Sequence, residues 1–79
     1  MSGISRHEAL NAARKMLRGF SGAPDPRQQA HRLYSELAHA AGWSRAEEAE
    51  IIAFGAWLQS RPALLQLRPS CTVLLAKFR

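Results

Sequence analysis

Apolar residues return every three or four positions along most of this chain, which is the spacing of one face of an α-helix. Ala9, Leu10, Ala13, Met16, Leu17 and Phe20 make the first such stripe. Ser5-Arg6-His7-Glu8 opens it as a capping box, in which the serine hydroxyl takes a backbone N–H and the glutamate reaches back. Gly19 or Gly22 ends the segment, and Pro24 prevents its continuation. Asp25-Pro26-Arg27-Gln28 repeats the device, with Asp25 as cap, Pro26 in the first helical position and Gln28 closing the box. The stripe that follows is Ala30, Leu33, Tyr34, Leu37, Ala38 and Ala41, and Gly42 is a terminator. Ser44-Arg45-Ala46-Glu47 is a third box, opening a helix that should run to about Gln59.

Beyond that point the pattern is less regular. Pro62 disfavours helical geometry at Arg61 and could open a short fourth helix through Leu67, closed before Pro69. In the tail, Thr72 and Val73 suit a strand, but Cys71, Leu74, Leu75 and Phe78 have helical spacing. Lys77 and Arg79 suit a helix C-terminus, and a lone strand would have no sheet to join, so the tail is expected to be helical. The pattern predicts an all-α fold, a small bundle of four to five short helices, with residues 1–79 forming a single helical domain.

The third helix differs from the first two in carrying two apolar stripes. Ala49, Ile52, Ala53, Ala56 and Trp57 form one. Ile51, Phe54 and Leu58 form another, about 100° around the helix. A helix apolar on most of its circumference is either central to the bundle or covered by another chain. Ile51, Phe54 and Leu58 are the apolar interface candidate, covered by a partner or by a second copy in a homodimer; burial of the helix at the centre of the fold is the other reading of the same stripes. Gly55, in mid-helix, would permit a close helix crossing.

Composition narrows the functional classes. The 79 residues are 47% hydrophobic, too apolar for a disordered chain. One cysteine, Cys71, excludes an internal disulfide, and no apolar run of signal-peptide or membrane-spanning type is present. Ser2 occupies the position where N-myristoylation requires glycine. These features predict a cytoplasmic location. The net charge of +5 favours acidic partners and is unevenly spread. Residues 1–32 hold six basic and two acidic groups, residues 33–60 one and four, and residues 61–79 four and none.

The sharpest candidate site lies on the first helix. His7, Asn11, Arg14, Lys15 and Arg18 share a polar face opposite the apolar stripe, a basic face that could meet an acidic protein or a phosphate backbone. A solvated outer face is the plainer reading of the same spacing. Leu37 to Ile52 has some helix-turn-helix grammar, with Gly42 at the turn, but the second helix would offer Glu47, Glu48 and Glu50 to the phosphates. Gly19-Phe20-Ser21-Gly22 resembles the G-x-x-G loop of KH domains over four residues only; no sheet is readable, and a helix C-terminal turn explains the glycines better.

Catalytic and metal chemistry find little purchase. Glu36 and His39 make one E-x-x-H, where a di-iron bundle needs two and further carboxylates. Nothing local activates Cys71, whose expected role is that of a small buried hydrophobe. No catalytic residue, metal ligand or cofactor is therefore expected. The sequence points to a small non-enzymatic accessory protein that binds and regulates or inhibits a larger protein or ribonucleoprotein assembly with an acidic surface. A helix-turn-helix-like nucleic-acid-binding regulator is the alternative, and a membrane is not an expected partner.

Overall fold

The computed structural model describes residues 4–78 and contains four α-helices and one short 3-10 turn. Helix α1 spans Arg6–Arg18, α2 Pro26–Ala38, α3 Arg45–Gln59 and α4 Leu64–Ala76, with the 3-10 turn Phe20–Gly22 after α1. Among the described residues no strand forms, and the fold is the small all-α bundle that the periodicity predicts. Residues 1–3 and Arg79 lie outside the described residues, and with them the expectations placed on Ser2 and on Arg79 as a helix terminator.

Local chemistry sets the helix starts. Ser5 and Glu8 form a complete capping box at α1, as do Ser44 and Glu47 at α3. At α2 only half of the predicted device operates. The Asp25 carboxylate accepts the Gln28 backbone N–H at 3.2 Å, with Pro26 in the first helical position. That helix stops at Ala38, short of the predicted Gly42, so Ala41 is not helical. Its exposed end is closed by side chains: Trp43 Nε1–H donates to the Leu37 carbonyl at 2.8 Å, and His39 Nδ1 to the Ser35 carbonyl at 2.8 Å. Gly42 instead turns the chain with φ +97°, a conformation open to glycine.

One continuous core joins all four helices. Ala9, Leu10 and Ala13 come from α1, Ala30, Leu33 and Leu37 from α2, Ile51, Phe54 and Leu58 from α3, and Leu67, Cys71, Leu74 and Leu75 from α4, with Phe20 and Phe78 closing the ends. The α2–α3 crossing is close because residue 55 is glycine: a Cβ there would lie 2.6 Å from the Tyr34 ring.

The last helix corrects one expectation and bears out the helical tail. Pro69 does not separate a short fourth helix from a fifth; it sits inside α4. Its missing N–H leaves the Leu65 carbonyl without its intrahelical donor. The helix persists because Leu67, Cys71, Leu74 and Leu75 fall on one buried face on both sides of the proline. That shared burial outweighs one lost bond near the helix start. Thr72 and Val73, the residues that suggested a strand, point to solvent.

A polar and aromatic clasp ties the chain ends to the middle. Arg6, at the start of α1, donates from Nε to both Glu47 carboxylate oxygens at 3.1 and 3.2 Å. Its guanidinium also lies 5.7 Å from the Trp43 ring centroid, and Trp43 packs on Phe78 with centroids 5.3 Å apart.

Candidate functional site

The interface predicted on α3 is not at the surface. Ile51, Phe54 and Leu58 are 4%, 6% and 4% exposed and are packed into the bundle core. The other stripe has changed places with them: Ala49, Ile52, Ala53 and Ala56 face solvent, and Trp57 is half-buried. Spacing ranks the two stripes equally, but side-chain size does not. The buried stripe holds Ile, Phe and Leu, whereas the other is mostly alanine, and larger side chains gain more on leaving water. That size difference was the readable signal.

The solvent-facing stripe borders a groove between α3 and α4. Its walls are Ala53, Phe54 and Trp57 on one side and Pro69, Val73 and Leu74 on the other, around a volume of about 350 Å³. Phe54 and Trp57 lie 5.5 Å apart by ring centroids and form an aromatic pair at the groove. Lys77 Nζ donates to Glu50 Oε2 at 2.6 Å, so a neutralised ion pair marks one end of a surface whose remaining lining is apolar except for Ser70. The apolar character continues outside it. Leu65, 91% exposed, stands one helical turn before Pro69 of the α4 wall, whereas Ile52, 62% exposed, lies on the flank of α3 turned away from the groove. This surface was missed by the sequence pattern because it is formed jointly by two helices, across the α3–α4 turn.

The basic face of α1 is present in part. His7, Asn11, Lys15 and Arg18 are exposed, with His7 Nε2 and Asn11 Nδ2 3.3 Å apart. Arg14 is half-buried and donates from Nη2 to the Phe78 carbonyl at 3.4 Å, where it meets the negative end of α4. The face therefore offers Lys15 and Arg18 to a partner, while Arg14 is partly committed to the fold.

The helix-turn-helix elements sit less favourably for nucleic acid. Glu47 is held by Arg6 and Glu50 by Lys77, and the exposed acidic group Glu48 stands on the helix that would enter the groove. Gly19 to Gly22 forms the 3-10 turn that closes α1.

The reactive groups fall in unreactive settings. Cys71 is fully buried, and desolvation pushes its thiol up to about 11, away from the thiolate form that nucleophilic chemistry needs. Among the described residues no three His, Cys, Asp or Glu side chains come together as a metal-binding group. No helix of the described residues is long and apolar enough to cross a membrane.

Fold and surfaces together define a small helical bundle with an apolar interhelical groove and a separate basic helix face. Comparison with known proteins finds no matching family model, no matching curated protein and no matching solved structure.

Proposed function

We propose that this chain is a small non-enzymatic accessory protein that docks on a larger protein or ribonucleoprotein assembly and regulates or inhibits it, using the α3–α4 groove as its contact. The observation that carries this reading is a mostly apolar groove open to solvent between α3 and α4. Ala53, Trp57, Pro69 and Val73 line it, and Ala53, Pro69 and Val73 are exposed. A groove with two helical walls suits an apolar segment of a partner, and each large side chain withdrawn from water contributes about 1.5–3 kcal/mol. The exposed Lys15 and Arg18 would add attraction to an acidic patch on the same partner, in the manner of rim charges that speed encounter.

Affinity capture with the full chain, with and without nuclease, tests the reading. A protein partner should survive nuclease, be lost with Ala53→Glu or Val73→Glu, and be weakened by salt and by Lys15→Glu with Arg18→Glu. Both groove positions are exposed, so the variants should remain helical by circular dichroism. Capture of nucleic acid alone, abolished by the α1 variants and indifferent to the groove variants, would overturn the proposal in favour of a nucleic-acid-binding regulator acting through the basic face.

A further inference from the structure

A second concavity, with no residue in common with the groove, lies between the first turn of α2 and the turn from α3 to α4. Asp25, Arg27, Gln28, His31, Leu58 and Arg61 line it, around a volume of about 560 Å³. Two of these are arginines and one is a histidine, and they come from two separate elements: Arg27 and His31 from α2, Arg61 from the turn after α3. None of the three is paired with a carboxylate among the described residues. The one acid present, Asp25, already accepts the Gln28 backbone N–H as the α2 cap.

Arg61 is also an unusual choice for its position. It has φ +56° and is the only non-glycine residue with positive φ among the described residues. Its N–H bonds back to the Leu58 carbonyl at 3.2 Å, so it occupies the left-handed position just past a helix end where glycine is the default. A side chain there carries a steric cost that glycine would avoid. A residue held at a cost, lining a cleft that another arginine and a histidine also line, suggests use of its guanidinium.

We infer that the Arg27–His31–Arg61 cleft is an anion site for a phosphate monoester. Two guanidinium forks present paired N–H donors to the oxygens of one phosphate, and the Gln28 amide and the His31 ring can complete the set. A concave cleft with cations on two walls suits a single terminal phosphate; a polynucleotide would need a row of cations along an extended track.

The test is a titration of the full chain with inorganic phosphate at constant ionic strength, followed by amide NMR shifts. Saturable shifts confined to residues 25–31 and 58–62 are expected. Arg27→Gln should weaken binding at least tenfold with the fold unchanged. Arg61→Gly should weaken binding equally while raising the melting temperature, because it removes the steric cost together with the guanidinium. A merely structural Arg61 would not separate those two readouts. Shifts that spread over all arginines without saturating, or an affinity unchanged in both variants, would overturn the site. So would binding of a short single-stranded oligonucleotide, lost in both variants, with no response to inorganic phosphate. None of these results depends on the α3–α4 groove.

Discussion

At residue 55 two opposed effects can be weighed directly. Glycine in mid-helix costs about 1 kcal/mol against alanine, so Gly55→Ala at an exposed site would stabilise α3. Here the new methyl would sit 2.6 Å from the Tyr34 ring, and inserting a methyl into packed surroundings costs about 1–3 kcal/mol. Gly55→Ala should therefore lower the melting temperature. In a Tyr34→Ala background the obstacle is gone, and the same change should raise it. That reversal of sign, read by thermal denaturation of the four variants in a double-mutant cycle, checks the crossing. If Gly55→Ala stabilises the otherwise unaltered chain, Tyr34 moves aside freely and the crossing does not depend on glycine.

At the scale of elements, α3 has one face that holds the bundle together and one that faces water. Charges placed on the two should act very differently. Phe54→Asp puts a carboxylate into the core and is expected to unfold the domain, because an unpaired buried charge has no compensation. Ile52→Asp, two residues earlier on the exposed face, should leave a folded and helical protein. Circular dichroism with urea unfolding distinguishes the pair. A folded Phe54→Asp variant would return that face to the surface, as the interface reading of the sequence pattern has it. The same reasoning explains Pro69: a helix with a buried face on both sides of a proline survives it, although a helix built on local propensity alone would not.

At the scale of the whole molecule, the Arg6–Glu47 pair links the first residues of α1 to the first turn of α3 across 41 positions of sequence. The Arg6 guanidinium, followed by the Ser44 backbone N–H, holds the Glu47 carboxyl at about 2, against 4.5 for the unperturbed group. On acidification the unfolded chain therefore takes up this proton first. The contribution of Glu47 to stability is present above about pH 4.5 and is lost as the pH falls towards 2. Melting temperature should drop over that interval, and Glu47→Gln should flatten the drop. An acid limb of equal depth in Glu47→Gln would show that other carboxylates, not the clasp, govern acid unfolding.

Sequence alone determined whatever rests on contacts between residues close in the chain. The three helix starts were legible at Ser5, Asp25 and Ser44 because a cap is made within three residues of itself. The stripes of α1 and α2 were legible because each has one apolar face and so one way to turn. Helix α3 has two, which spacing alone does not rank; the larger side chains of Ile51, Phe54 and Leu58 favour their burial, and the volume the other helices leave to be filled fixes it. The continuity of α4 through Pro69 was decided in the same way, by burial on both sides of a local defect. The α3–α4 groove, the clasp of Arg6 on Glu47 and the cleft that Arg27 and Arg61 both line each join residues from separate elements. No spacing rule reaches across the turns between them, so these features exist only once the helices have packed.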